Sequence, residues 1–289
     1  MNIPSALRRI SAFAFVCATS PILAAPTAPD AAIHATPFTQ IKPANEPDHG
    51  WRKPACAAAP QACTASAHDN GLDPVLYHAA GEPDNRFYTI VPGPQLLQLD
   101  YRPASHEWAV LADWDFSNFT PTRDVQGDGD NPPLQIYPAL YPLGPDRNAV
   151  AILSSWTEAY SGGGGSWSYA DFVELKAAGQ HADAASVAGV PFSCSKSIRA
   201  CFSEDDYKHS PHCSEDSNGA LYLKFAKSPG SPEAYDWIAT WKETLWPGLK
   251  PRRTTTTTAK TVRLRTTTGH ANDAKALDDS ISFCEPVNR

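Results

Sequence analysis

An N-terminal export signal followed by six cysteines constrains this chain more than any other feature of its sequence. An apolar stretch over about residues 10–23 lies behind Arg8 and Arg9, and small residues follow at Ala24 and Ala25. A charged start, a short apolar run and a small-residue exit are the parts of a secretory signal peptide. We therefore predict a signal peptide over residues 1–25 and a periplasmic or secreted mature chain.

The cysteine count agrees with export. Cys17 lies within the signal, which leaves six of the seven cysteines. An even number of cysteines in an oxidising compartment predicts disulfides. Two pairs have the same spacing, so we predict two local loops and one long-range bond, although spacing alone leaves other pairings open. The predicted bonds are Cys56–Cys63, Cys194–Cys201 and Cys213–Cys284.

Composition favours strands over helices. The chain has 27 prolines, eight tryptophans and ten tyrosines, which suit short strands joined by irregular loops. Its net charge of -7 makes nucleic acid an unsuitable partner. No segment after the signal has the length of a transmembrane span. We predict a mainly β fold: a single antiparallel sandwich or irregular barrel-like domain with disulfide-pinned loops.

The mature chain divides into three parts by composition. Residues 26–70 are rich in Ala and Pro and are predicted to be a partly disordered lead-in. Residues 71–249 carry the strand patterns and form the predicted β-rich core domain. Residues 250–289 contain Thr and Arg in a predicted C-terminal edge strand and tail, whose charges discourage pairing with other chains.

Period-two alternation marks the strands within the core domain. The clearest unit is a hairpin over residues 149–175, in which two alternating runs flank the glycines at 162–165. The segment 232–245 fits either a strand or a helix that begins at Pro232. Its aromatic content favours a strand.

An acidic loop is the first candidate metal site. Asp124, Asp128 and Asp130 lie among glycines, and calcium prefers several oxygen ligands on a turning loop. The alternative is a solvated turn, because Asp and Gly favour turns in any case. Apart from this calcium site, we predict no cofactor.

Two further groups of residues raise the possibility of a metal or of catalysis. Cys201, His209, His212 and Cys213 offer zinc ligands at irregular spacing, against the alternative of a disulfide-stapled polar loop. Asp113 and Asp115 flank Trp114 on a predicted strand. Their side chains would share one face, as a pair of glycosidase carboxylates does, or would simply face solvent.

An aromatic group around the glycine turn is the candidate binding surface. Trp156, Tyr160, Trp167 and Tyr169 are either a contact patch for an envelope or extracellular protein or ordinary core packing. No catalytic motif is recognisable. The sequence therefore favours an exported non-enzymatic binding protein, such as an inhibitor or immunity protein against a toxin or hydrolase of the cell envelope. The alternatives are a secreted hydrolase of polysaccharide or cell wall and a calcium-stabilised structural module.

Overall fold

The structure, a computed structural model, describes residues 32–63, 74–123, 133–266 and 272–285. The predicted signal peptide and the calcium candidates Asp124, Asp128 and Asp130 lie outside these ranges. The described strands are β1 (Thr36–Gln40), β2 (Leu76–Ala79), β3 (Arg86–Val91), β4 (Gln95–Arg102), β5 (Glu107–Asp115), β6 (Gln135–Ile136), β7 (Ala139–Gly144), β8 (Arg147–Tyr160), β9 (Gly163–Leu175), β10 (Val187–Arg199), β11 (Ser214–Ser228), β12 (Ser231–Trp246) and β13 (Thr256–Arg265). The described α-helices are α1 (Arg52–Ala58), α2 (Glu204–His209) and α3 (Asn272–Asp278).

One antiparallel sheet contains all of these strands, in the order β13-β12-β11-β10-β9-β8-β7-β1-β2-β3-β4-β5, and β6 pairs with β8. The sheet is open, with β13 and β5 at its two ends. Strand accounts for 54% of the structure and helix for 13%, which confirms the prediction of a mainly β antiparallel fold. Among the described residues, no helix has the length and apolar content needed to cross a membrane.

The strand β1 joins the two halves of the sheet. It pairs with β2 on one side and with β7 on the other. The helix α1 and Trp51, the residue before it, cover β4 and β5; Trp51 and Ala55 lie in one buried cluster with Leu97 and Leu99. Both elements fall within the predicted Ala/Pro-rich lead-in, so part of that segment is built into the fold.

The strand β8 is the centre of the packing. Four consecutive residues, 149–152, are buried, although alternate residues of a strand point to opposite faces. Ala149 and Ala151 belong to a cluster with Trp237 of β12, whereas Val150 and Ile152 belong to a cluster with Trp114 of β5. Both faces of β8 are therefore covered.

The hairpin predicted over residues 149–175 is present. Cross-strand pairs run from Asn148↔Leu175 to Tyr160↔Gly163 without a register shift. The segment that fits either a strand or a helix is the strand β12, which pairs along almost its full length with β11. The predicted late edge strand is β13, at one end of the sheet.

Two of the three predicted disulfides are wrong. Cys56–Cys63 forms as predicted, but the other bonds are Cys194–Cys284 and Cys201–Cys213. Cys194 lies inside β10, and the six residues of mostly extended chain between it and Cys201 span roughly 20 Å. A disulfide requires Cα atoms about 4.4–6.8 Å apart. The connection from β10 to β11 instead brings Cys201 to Cys213, whose carbonyl accepts hydrogen bonds from Ala200 and Cys201.

The bond Cys194–Cys284 fixes the C-terminal segment to the sheet. It spans 90 residues of sequence, and both cysteines are buried. Glu243, a buried carboxylate of β12, accepts hydrogen bonds from the Ser282 hydroxyl and the Cys284 amide. These contacts hold the described part of the predicted C-terminal tail against β10 and β12.

We expect the double variant Cys194→Ala/Cys284→Ala to lose about 4 kcal/mol of unfolding free energy, because a loop of this length contributes about 4–5 kcal/mol in the chain-entropy model. Urea unfolding with intrinsic tryptophan fluorescence measures the loss. Cys56→Ala/Cys63→Ala is the control, and its loss should be smaller because its loop is much shorter. Equal losses for the two variants would contradict this account, as would non-reduced peptides that link Cys213 to Cys284.

A second stability prediction concerns pH. Two nitrogens of Arg147 donate to both oxygens of Glu174 at 2.7 and 2.8 Å. These hydrogen bonds hold the pKa of Glu174 below its ordinary value, against the effect of burial. A lowered folded-state pKa stabilises the protein above the unfolded pKa, near 4.3, and that stabilisation disappears as the pH falls through the folded-state pKa.

We therefore expect Glu174→Gln to cost about 1–2 kcal/mol of unfolding free energy at pH 7 and much less at pH 3. Urea unfolding at both values of pH tests this difference. Glu158→Gln is the matched control, because Glu158 is an exposed carboxylate on β8, the strand that pairs with β9, and it has no ion pair among the described residues. A cost that is the same at both pH values would show that the ion pair is not its source.

Candidate functional site

An open cleft of about 690 Å³ lies across the strands β9 to β12. Its floor contains the glycines 163–165 together with Ser166, Ser195 and Asn218, and its wall contains Trp246 and Arg252. A Cβ on Gly163 would overlap the carbonyl oxygen of Ser197, so glycine is required where β9 approaches β10. The cleft thus has a floor of small residues and backbone.

A line of short polar side chains crosses the sheet at this cleft. Cross-strand pairing places one residue of each strand from β8 to β13 in the same row. We call these residues the polar row: Thr157, Ser166, Ser195, Asn218, Thr244 and Thr257. Directly paired residues share a face, and six strands about 4.8 Å apart make a row about 24 Å long.

The polar row belongs to the outer face of the sheet, which we define as the side opposite to buried Trp241 and Cys194. All six residues are exposed or half-buried. The Ser166 and Ser195 hydroxyl oxygens are 3.0 Å apart, and the Thr244 hydroxyl donates to the Asn218 carbonyl. A hydroxyl has one donor and two acceptor positions, so each retains capacity for a further partner. The side-chain amide of Asn218 makes no hydrogen bond within the described residues.

A stack of three side chains forms the wall of the cleft. The His212 and Trp246 rings are parallel, with centroids 3.4 Å apart, and the Arg252 guanidinium carbon lies 5.8 Å from the Trp246 ring. The Trp246 indole nitrogen donates to the Lys250 carbonyl at 3.0 Å. The loop after β12 is therefore anchored to the wall, and Arg252 is held beside the cleft.

Asp216 connects this wall to the floor. Its carboxylate accepts hydrogen bonds from the Ser197 hydroxyl at 2.7 Å and from the Ser214 hydroxyl at 3.1 Å. The His212 Nε2 lies 3.0 Å from the same carboxylate. Ser197 belongs to β10, Ser214 begins β11 and His212 lies in the loop just before it, and the Cys201–Cys213 bond joins the two ends of this connection.

Ser214, His212 and Asp216 are the three residue types of a catalytic triad, but their hydrogen bonds are not arranged as in a triad. In a triad, the carboxylate binds one imidazole nitrogen and the serine binds the other. Here Ser214 and Asp216 both approach Nε2 of His212, and Ser214 also donates to Asp216. The Asp216 carboxylate therefore cannot orient the imidazole while the imidazole removes a proton from the serine.

Most of the predicted aromatic patch lies within the fold. Trp167 is buried, stacks on Trp156 and donates its indole N–H to the Phe283 carbonyl. Tyr169 packs on Phe283 and donates to Asp278, and burial raises the pKa of its hydroxyl. Tyr160, at the tip of the hairpin, is the exposed member.

The paired carboxylates lie on β5, away from the cleft. Asp113 accepts a hydrogen bond from the Gln95 amide at 2.6 Å, and Asp115 accepts one from the Ser117 amide at 2.8 Å. Burial raises the pKa of Asp113, the Gln95 hydrogen bond lowers it, and the charge of Asp115 raises it, with a net increase. Trp114 between them is buried and donates to the Lys176 carbonyl.

The candidate zinc ligands do not come together as a site. Cys201 and Cys213 are bonded to each other, which removes two of the four ligands. A second group in the described structure, Cys194, Glu243 and Cys284, has its ligand atoms within 4.8 Å of one another. Its sulfurs form a disulfide, and Glu243 is hydrogen-bonded to the C-terminal segment, so this group also serves the fold.

Sequence reasoning missed the cleft, although a signal was present. Ser193, Ser195 and Ser197 alternate along β10, and Ser166 and Ser168 alternate along β9. Alternation of short polar residues marks a strand face just as apolar alternation does. Asn218 and Thr244 gave no such signal, because only the pairing of β10 with β11 and of β11 with β12 brings them into the row.

Comparison with protein-family models, with curated proteins and with solved structures found no match.

The contact geometry around Ser214 leads to a chemical prediction. We expect Ser214 not to react with a fluorophosphonate probe, because its hydroxyl donates to Asp216 and lacks an activating imidazole. Gel fluorescence after labelling tests this, with a commercial serine hydrolase as the positive control. Labelling that disappears in Ser214→Ala and His212→Ala would contradict this interpretation of the cluster.

Proposed function

We propose that this chain is an exported, non-enzymatic binding protein and that its cleft binds a hydroxyl-rich chain, that is, a glycan of the cell envelope or its surroundings. The observation that carries the proposal is the polar row, whose central residues line a cleft walled by Trp246 and Arg252. Sugar hydroxyls donate and accept hydrogen bonds, as do the Ser, Thr and Asn side chains of the row.

Export is supported by the three disulfides and by the predicted signal peptide. Disulfides persist in the periplasm and the extracellular medium, whereas cytosolic thiols are kept reduced. A binding role is supported by the geometry of the Ser214, His212 and Asp216 cluster, which does not activate the serine. Short side chains on the floor also permit an extended ligand to approach the backbone of the sheet.

We expect binding of a long oligosaccharide to shift amide resonances in the polar row and in residues 246–252. Asn218→Leu should weaken the binding about three- to tenfold, because it removes an amide that makes roughly 0.5–1.5 kcal/mol of hydrogen bonding. Titration by NMR and by calorimetry against a panel of neutral and acidic glycans measures both effects.

Tyr160→Ala is the control for this experiment, because Tyr160 is exposed outside the cleft. If ligand binding responds to Tyr160→Ala and not to Asn218→Leu, the cleft is not the site and the protein-partner interpretation gains support. That interpretation, an inhibitor or immunity protein, would also be favoured if no glycan in the panel binds and an envelope protein does.

A secreted polysaccharide hydrolase is the second candidate, favoured by the raised pKa of Asp113 beside Asp115. A general acid of a glycosidase has such a raised pKa. A zymogram on cell-wall and plant polysaccharides, repeated with Asp113→Asn/Asp115→Asn, separates the candidates. Clearing by the native protein that disappears in the double variant would establish the enzyme.

A further inference from the structure

The outer face of the sheet carries a group of exposed cations. Strand register places Arg199, Lys224 and Lys242 on the same side as the polar row, and three more cations lie in the loop between β12 and β13. None of the six forms an ion pair within the described residues. We call them the outer cations: Arg199, Lys224, Lys242, Lys250, Arg252 and Arg253.

Acidic residues on the same side of β10 to β13 are already engaged. Asp216 is bound by Ser197, Ser214 and His212. Asp236 is buried and pairs with Arg263 at 3.4 Å. Glu215 and Glu243 point to the opposite side of the sheet, because their numbers along β11 and β12 have the other parity. Within the described strands β10 to β13, the outer cations therefore have no acidic partners on their own face.

This positive face contrasts with the whole chain, which has a net charge of -7. An acidic protein with one cationic face attracts anions to that face, and the local field raises their concentration there. Like charges on one face cost free energy when they have no partner. A set of unpaired cations on a negatively charged protein is therefore informative about its ligand.

The outer cations lie on both sides of the polar row. On β12, Lys242 is two residues from Thr244, about 7 Å along the strand, and its ammonium lies 4.9 Å from the Tyr222 ring. On the other side, Arg252 lines the cleft and Arg199 lies four residues beyond Ser195 on β10. A chain that lies along the row passes between these charges.

We infer that the ligand of the cleft is an acidic polysaccharide whose sugar rings carry carboxylates. This inference rests on the proposed function. The hydroxyls of the sugars bind the polar row, and the carboxylates bind the outer cations, with Arg252 able to form two parallel hydrogen bonds to one carboxylate. A bilayer of anionic lipids fits this face less well. Binding at a membrane interface relies on exposed apolar side chains, whereas this row consists of hydroxyls and an amide.

Calorimetry with oligogalacturonate long enough to span the polar row tests the inference. The same oligomer with its carboxyls methyl-esterified keeps the ring and linkage but removes the charge. We expect the esterified oligomer to bind at least tenfold more weakly. We also expect binding of the acidic oligomer to weaken several-fold between about 50 and 300 mM salt, because exposed charges are screened over that range.

Lys224→Gln/Lys242→Gln should weaken binding of the acidic oligomer about three- to tenfold and leave binding of the esterified oligomer unchanged. Lys42→Gln/Lys53→Gln is the matched control, because it makes the same change in net charge at exposed lysines outside β8–β13. Circular dichroism and thermal unfolding of both variants establish that they fold.

The outcomes distinguish failure of the inference about acidic polysaccharide from failure of the proposed glycan-binding function. Equal affinity for the two oligomers would leave a glycan-binding protein but overturn the inference about charge. An equal effect of the two lysine variants would overturn it as well, because net charge and not the outer face would then be responsible. Binding to vesicles of phosphatidylglycerol and phosphatidylcholine, with neither oligomer bound, would replace the polysaccharide by a membrane surface. No binding to either oligomer or to any glycan in the panel would remove the proposed function itself.

Discussion

The register of the antiparallel pairing from β8 to β13 is the constraint on which the other features depend. The polar row is straight only because residues 155–160 of β8 and their partners through β13 pair without a slip. A shift of one residue in any strand would turn its side chains to the opposite face. Trp241 would then meet solvent, and Thr244 would enter the core.

The inner face explains why this register is fixed. Trp241 and Cys194 occupy the space above Gly219, where any Cβ would overlap both side chains. The Cys194–Cys284 bond, Glu243 and Phe283 then fill the interior next to Trp241. Because the buried side tolerates one arrangement, the exposed side is held in one arrangement as well, and a preformed binding surface loses little entropy on binding.

Charged residues on the inner and outer faces of the sheet also differ in how their charges are compensated. Buried Lys196 has Glu285 as a partner, and buried Glu243 accepts hydrogen bonds on both oxygens, since an uncompensated charge inside the fold would be costly. Exposed cations such as Lys242 and Arg252 have no such requirement, because water solvates them. The outer cations of the described strands and of the loop after β12 therefore remain accessible to a ligand.

Local patterns in the sequence predicted the strands, the hairpin of β8 and β9, the edge strand β13 and the Cys56–Cys63 bond, because each depends on residues close together in the chain. The aromatic content of residues 232–245 also favoured a strand there, and the strand β12 is what forms. Only the tertiary structure decided the partners of Cys194 and Cys201, the burial of Trp167 and the position of Asn218 beside Ser195. Those outcomes depend on which strands pair, and the free energy that selects the pairing comes from burial of distant side chains that no local window of sequence contains.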